Sequence, residues 1–168
     1  MTSRALELRS AFDGEFAAAP RAPEHALRDV LCIRVGGQPC AIRLDDIASL
    51  HAELRIVALP TRAPELLGAA AIRATVVPIY DLATVLAMPR SAAQRWAVVH
   101  RAGRAGFAFD GHDGHARVAE ATISAIAGRG HISGQLVVGG EPRLIIDLGS
   151  VLSAIETRWN QGGSAKDQ

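Results

Sequence analysis

Apolar residues in the middle of the chain fall into short runs separated by two-residue turns that contain glycine, a pattern typical of β-hairpins. The run at 29–35 is followed by Gly36-Gly37 and then by a second run at 38–44. β-Branched residues flank a turn that tolerates positive φ, so this stretch predicts two antiparallel strands. Two other stretches repeat the pattern and predict further hairpins, at 95–110 and 135–148.

The other apolar segments of the middle region predict one more strand and two short helices. The strand is expected at 74–82, where Pro78 favours an edge position or a bulge, because proline cannot donate to a ladder. Helical periodicity is brief, at 81–88 and 147–159. Each helical segment begins with an aspartate, a residue type that caps helix N-termini. Strands therefore dominate the predicted fold.

The two halves of this region are related by an internal repeat. When the first half is moved by 66 positions, Gly68 falls on Gly134, and the Ile-x-Asp-Leu motif at 79–82 falls on the same motif at 145–148. The matches share one register and therefore indicate a duplication. Repeats of about 60 residues bury little core alone, so we expect two small barrels that pack on each other.

The ends of the chain differ from the repeats. Leu8, Phe12 and Phe16 recur every four residues and would form one apolar stripe on a short helix in the segment 1–28, which ends in a Pro/Ala-rich linker. Because a helix of this length is marginal on its own, we expect it to dock on the chain's own barrels or on a partner. Residues 157–168 are expected to form a disordered tail.

Composition and charge exclude several classes of function. The 18 basic and 17 acidic residues give a net charge of +1, which provides no global field to attract nucleic acid or anionic lipid. The first ten residues lack the apolar core of a signal peptide, and no apolar run reaches membrane-spanning length. We therefore expect a cytoplasmic protein without membrane insertion, in which Cys32 and Cys40 stay reduced and pack as small hydrophobes.

Few residues are candidates for chemistry. Asp81 and Asp147 could form a carboxylate pair, but the repeat places both at helix starts and no nucleophile accompanies them, so capping is favoured. The Asp-Gly-His cluster at 110–115 could bind a metal, yet we place it in a loop, since Asp and Gly serve turns and no supporting partners are evident. Residues 101–106 lack the strand–loop–helix context of a phosphate loop. We therefore expect no catalytic, metal-binding or cofactor-binding residues.

Two stretches of the repeats carry motifs in a fixed order. Segment 64–86 contains Pro, Gly, an apolar run with one Arg, and then Val-Pro-x-x-Asp-Leu. In segment 131–152 a glycine precedes a hairpin that ends in Ile-Asp-Leu. Both are similar to signatures of the CheW family. The resemblance covers 29–156, with half-repeats at approximately 29–90 and 91–156.

The resemblance implies an all-β fold, a tandem pair of small five-stranded barrels of the SH3-like or OB-like type, interlocked and with short peripheral helices. It implies a non-enzymatic chemosensory adaptor that couples chemoreceptors to a CheA-type histidine kinase. The expected partners are the regulatory domain of the kinase and the cytoplasmic tip of the receptor, with no cofactor. Two rival classes are disfavoured. An enzyme is disfavoured because no catalytic set emerges. An OB-like barrel that binds single-stranded nucleic acid is the alternative interpretation, but it would need a basic groove with aromatics, and Trp96, Trp159 and Tyr80 are scattered along the sequence.

The resemblance also implies a partner-binding surface that contains Arg73, Gly68 and Ile47. Arg73 is either an interface anchor, which we favour, or a charged gatekeeper of an edge strand. Gly68 suits a turn or the close approach of a partner helix, and Ile47 suits the core or a groove contact. The family's Asn-Leu-Arg-Gly is replaced by Ala-Ile-Arg-Ala at 71–74. Because alanine accepts positive φ poorly, an altered turn is expected there.

Overall fold

The computed structural model describes residues 26–91, 94–128 and 130–164, which form eleven β-strands and two α-helices. The first half of the chain contributes β1 (Leu27–Val35), β2 (Gln38–Arg43), β3 (Ile47–Ala52), β4 (Leu66–Ile72) and β5 (Thr75–Asp81). The second half contributes β6 (Trp96–His100), β7 (Gly106–Phe109), β8 (Gly111–Ala119), β9 (Ser124–Ala125), β10 (Ile132–Val138) and β11 (Glu141–Ile146). The helices are α1 (Leu82–Val85) and α2 (Leu148–Ser164).

The strands form two sheets. The six-stranded sheet has the order β8-β1-β2-β11-β10-β9, and the five-stranded sheet has the order β3-β6-β7-β5-β4. The prediction of a mostly-β fold with few helices is confirmed. Within the described residues the two edge strands of a sheet do not pair with each other, so closed barrels are not confirmed, and β9 adds a sixth strand to one sheet.

Each sheet combines strands from both halves of the chain. The β1–β2 hairpin pairs in parallel with β11, where Cys40 lies opposite Leu144. The β6–β7 hairpin pairs in parallel with β5, where Gly106 lies opposite Ile79. Moving strands by 66 positions converts one strand order into the other, apart from β9. The two halves are therefore interlocked, since each contributes its hairpin to the sheet of the other.

The core has three parts that follow from this arrangement. One buried cluster contains residues of the five-stranded sheet alone, such as Val77 and Ile79, and a second contains residues of the six-stranded sheet alone, such as Val30 and Ile145. The third and largest cluster takes residues from both sheets and from α2. Each sheet therefore buries one face in its own cluster and part of the other face in a shared one, which joins the two sheets.

Both helices begin at the predicted aspartates. Asp81 Oδ1 accepts a hydrogen bond from the backbone N–H of Ala83 at 3.1 Å. Asp147 Oδ1 accepts one from the backbone N–H of Ser150 at 2.9 Å. Both carboxylates thus satisfy N–H groups that have no partner inside the helix, and the prediction of capping is confirmed.

Helix α2 continues beyond the end that the sequence predicts. It runs through Ser164, so the expectation of a disordered tail from residue 157 is wrong for 157–164. One tertiary contact lies in this stretch, where Arg158 Nη1 is 3.1 Å from Oε1 of the buried Glu65. Residues 165–168 lie outside the described residues.

The Asp-Gly-His cluster at 110–115 lies mostly in a strand rather than in the predicted loop. Its residues from Gly111 onward belong to β8, which forms an edge of the six-stranded sheet and pairs with β1. Polar residues and glycines are tolerated there because an edge strand is partly solvated and charge discourages further pairing. The ladder shifts register between Cys32 and Ile33, opposite Gly114, whose φ is +109°.

The two cysteines lie on opposite faces of the β1–β2 hairpin. Cys32 belongs to the cluster of the six-stranded sheet, and Cys40 belongs to the shared cluster. Both are buried free thiols. Burial raises the pKa of Cys32 above its usual value and that of Cys40 to about 11. These positions agree with the prediction that the cysteines act as small core hydrophobes.

Pro78 lies inside a sheet at a position that needs no donor. β5 pairs with β7 only from Ile79 to Asp81, so Pro78 precedes that ladder. On the other side it lies opposite Ala69 of β4. β5 is therefore unpaired on one side at the proline, which is the local equivalent of an edge.

The predicted N-terminal helix with Leu8, Phe12 and Phe16 lies outside the described residues. Strand β1 begins at Leu27, two residues before the expected boundary at residue 29. Among the described helices, none is both long and apolar enough to span a bilayer.

Candidate functional site

Arg73 lies at the tip of the hairpin formed by β4 and β5. Its φ is +48° and that of Ala74 is +65°, so both central residues of the two-residue turn adopt the left-handed conformation that a type I′ turn requires. The corresponding turn of the second half is formed by Gly139 and Gly140, with φ of +59° and +84°. The turn class is thus retained, and the expectation that Ala74 alters it is wrong.

The retained turn is held by pairing on both strands. Ile72 lies opposite Thr75 and is buried in the cluster of the five-stranded sheet together with Val77. A shift in register would expose these side chains, since it moves them to the other face. Packing therefore imposes a left-handed conformation that costs an alanine about 1–2 kcal/mol.

The guanidinium of Arg73 is open to a partner. The residue is exposed, and it forms no ion pair with any residue that the structure describes. The turn projects it from the end of β4, an edge strand of the five-stranded sheet. This placement suits an interface anchor and also suits a gatekeeper, so the preference for an anchor stays a prediction.

An apolar stripe runs along the same hairpin towards Arg73. It consists of cross-strand pairs on one face, Leu66 with Tyr80, Ala69 with Pro78, and Ala71 with Val76. The pair at the inner end packs against the shared cluster, whereas Val76 at the outer end is 73% exposed. A partner that contacts Arg73 would therefore find apolar surface beside it.

The space beside Gly68 is filled by another segment of the same chain. It is buried in β4 with φ of +149°, and a Cβ atom there would lie 2.1 Å from the carbonyl oxygen of Val57. That segment is held against β4 by hydrogen bonds between Val57 and Ala69, of 2.8 and 2.9 Å. The close approach that a glycine permits is made here by residues 57–58. A contact of Gly68 with a partner stays a prediction.

Gly68 and its repeat equivalent Gly134 lie in strands, not in turns. Each stands where its hairpin ladder shifts register, in β4 and in β10. At Gly134 an added Cβ would lie 2.8 Å from the carbonyl oxygen of Ser124 in β9. Both glycines therefore let an additional segment pair with the outer side of a hairpin, and the interpretation of Gly68 as a turn glycine is wrong.

Ile47 opens strand β3 at the opposite edge of the five-stranded sheet. It is half-buried and packs against the shared cluster, which agrees with a core role. Of the three predicted partner-binding residues, Arg73 is thus exposed, Ile47 half-buried and Gly68 buried. The structure does not bring all three onto one strand pair.

The other candidates for chemistry have structural contacts. Asp81 is fully buried, and besides capping α1 it pairs with Arg90 Nε at 2.8 Å. The His112 ring lies 5.0 Å from the Trp96 ring. Within the described part of the chain, no group of three or more His, Cys, Asp or Glu side chains could hold a metal ion.

A charge network at one end of the six-stranded sheet was not predicted. Arg143 of β11 is only 6% exposed and donates to Asp113 Oδ2 at 2.9 Å and to Glu141 Oε2 at 2.5 Å. Arg34 also contacts both carboxylates. Burial alone would raise the pKa of Asp113, but hydrogen bonds from Arg143 and Arg34 hold it below its usual value. The sequence signal is an Arg at the repeat position that Val77 occupies in the first half.

Comparisons with known proteins agree with this fold. The family model described as CheW-like domain matches residues 29–156. Among solved structures, the scaffolding protein TtCheW from Thermoanaerobacter tengcongensis matches with a TM-score of 0.66 and 13% sequence identity, over 72% of this chain and 89% of that chain. At this identity the likeness concerns the fold alone. No curated protein sequence matches the chain. Because the family model spans most of the chain, the protein belongs to the family of CheW-like domain proteins.

Proposed function

We propose that this protein is a non-enzymatic adaptor of bacterial chemotaxis, which couples chemoreceptors to a CheA-type histidine kinase in the cytoplasm. The observation that carries the proposal is the CheW-like domain match over residues 29–156, together with the two-sheet fold. The structurally similar TtCheW is a scaffolding protein. The kinase regulatory domain and the receptor tip are the proposed partners.

The surface of the β4–β5 hairpin supports a binding role. It offers an exposed Arg73 and, next to it, the exposed Val76. Arginine beside apolar surface is the composition found at interface hot spots. A cation held at the tip of a rigid turn loses little further backbone entropy when it is bound.

Single-stranded nucleic acid is a less suitable ligand for this surface. Base stacking requires accessible aromatic rings. Tyr80 is buried, Trp96 is half-buried beside His112, and among the described residues Trp159 is the one large aromatic that is well exposed. The aromatics therefore provide no row of stacking platforms.

Arg73→Ala tests the proposal directly. We expect the affinity for the kinase regulatory domain or for the receptor tip to fall by more than about 2 kcal/mol, or roughly thirtyfold. Isothermal titration calorimetry with each partner measures this loss. Arg117→Ala is the matched control, because Arg117 is an exposed arginine on β8 of the other sheet and pairs with Asp29 at the surface. Wild-type affinity of the Arg73→Ala variant for both partners would return Arg73 to the gatekeeper role, and no binding by the wild type would refute the adaptor.

A further inference from the structure

A cleft of mixed polarity lies between α2 and the turn that joins β6 to β7. It has a volume of about 410 Å³, and Tyr80, Ala105 and Ile155 line it. Arg104 and Trp159 also contribute to its wall. Burial raises the pKa of the Tyr80 hydroxyl, and a hydrogen bond from the Trp159 indole opposes that shift. The cleft thus presents aromatic and aliphatic surface, with the polar Asn160 and the ion pair of Arg104 with Glu156 in its wall.

The outer wall of this cleft lies beyond the domain that the family model matches. That match ends at residue 156, whereas Trp159 lies one turn further along α2 and is 50% exposed. Ion pairs join residues of the wall to each other and to the sheet, from Arg158 to Glu65 at 3.1 Å and from Arg104 to Glu156 at 3.3 Å. A large aromatic that is half-exposed beside a cleft is the arrangement expected of a surface that receives another segment.

The N-terminal segment also lies outside the residues that the family model matches, and it combines apolar and acidic residues. Leu8, Phe12 and Phe16 form one stripe at helical spacing, and Asp13 and Glu15 lie between the two phenylalanines. We propose that residues 6–16 of this same chain occupy the cleft, with their phenylalanines against Trp159.

Charge and reach both favour this occupant. The turn beside the cleft carries the exposed Arg101 and Arg104. Arg104 pairs with Glu156, whereas Arg101 forms no ion pair with the described residues and complements Asp13 and Glu15. The connecting residues 17–25 span at most about 30 Å when extended. A domain of this size has a radius of gyration of about 14 Å, so the linker from β1 reaches well across its surface.

Tryptophan fluorescence tests the proposal on the full chain. The protein has two tryptophans, so Trp96→Phe leaves Trp159 as the single reporter. In this background, we expect the double substitution Phe12→Ser/Phe16→Ser to shift Trp159 emission to the red and to raise its quenching by acrylamide. A synthetic peptide of residues 1–22, added to the double variant, should reverse both changes.

A charge-reversal variant and a dilution series distinguish the proposal from its alternatives. Arg101→Glu in the same background should also raise the quenching of Trp159, whereas Arg117→Glu, on the other sheet, should leave it unchanged. Circular dichroism confirms that each variant is folded, and if the Arg101→Glu variant unfolds, the double Phe variant decides alone. Unchanged quenching in the double variant overturns the proposal. The dilution series uses the Trp96→Phe protein that keeps both phenylalanines. If dilution removes the protection of its Trp159 from acrylamide, the proposal is also overturned, because the segment would then come from a second copy.

Discussion

Because Ala74 adopts a left-handed backbone conformation, we expect its substitution by glycine to stabilise the protein. At φ of +65° an alanine costs about 1–2 kcal/mol relative to a right-handed conformation. Glycine removes that cost. It also increases the conformational entropy of the unfolded chain, which lowers the stability of the fold by about 0.5–1 kcal/mol. We therefore expect Ala74→Gly to stabilise the fold by about 0.5–1 kcal/mol.

Urea denaturation measures this gain, with the slope of the transition as a check that the unfolded state is unchanged. For a slope near 2 kcal/mol/M, the midpoint should rise by roughly 0.3–0.5 M. The reciprocal change, Gly140→Ala, should lower stability by a similar amount. An added Cβ at Gly140 meets no atom within 4 Å, so its effect reports the backbone alone.

A matched control is available on the same hairpin. Ala71 is exposed in β4 opposite Val76, without positive φ, so Ala71→Gly should destabilise the protein. Glycine within a strand costs roughly 0.5–1 kcal/mol relative to alanine. Opposite signs at positions 71 and 74 support the reasoning. A loss of stability in Ala74→Gly, or the same sign at both positions, would refute the claim that the turn is strained.

Three other predictions follow from described contacts. Gly68→Ala should destabilise the protein by more than about 2 kcal/mol in the same assay, because the new methyl group would meet Val57 at 2.1 Å; a neutral effect would contradict the close packing. The lowered pKa of Asp113 means that its ion pairs stabilise the fold above the unfolded pKa of about 3.9 and that this stability is lost as the pH falls through the lower folded value. The difference in stability between wild type and Asp113→Asn should therefore shrink below about pH 4 in acid titrations of unfolding, and a constant difference would disprove the assignment. Because Cys32 and Cys40 are buried with raised pKa values, a thiol reagent at pH 8 should label them only as fast as the protein unfolds; rapid labelling of the native state would count against their burial.

Local signals predicted local structure well. Gly36-Gly37 and the apolar runs on either side of it were sufficient to predict the β1–β2 hairpin, because a two-residue turn with positive φ depends on neighbours in sequence. The aspartates that cap α1 and α2 were predicted for the same reason. The β8 strand was missed, since its Gly and Asp residues are typical of loops and only pairing with β1 makes them extended.

Long-range features of the site could not be predicted from the sequence. The position of Gly68 was expected from the repeat. Its contact with Val57, 11 positions earlier, depends on how the segment between the two residues folds back against β4. The partners of Arg143 come from four strands, three of them distant in sequence. Arg73 was singled out as an interface anchor or a gatekeeper, and its exposure suits either role. That its turn keeps a glycine-like geometry required knowledge of the pairing on both sides.

The parallel ladders between halves give the chain the topology of a swapped dimer whose two subunits have been fused. In an ancestor with two identical copies, any substitution would have appeared twice, once at each symmetry-related position. Fusion removes that constraint. Arg73-Ala74 and Gly139-Gly140 occupy equivalent turns yet present a cation at one end and no side chain at the other. Val77 and Arg143 likewise occupy equivalent positions of the repeat, but Val77 packs in an apolar cluster whereas Arg143 forms ion pairs. One duplicated framework can therefore present two chemically different surfaces.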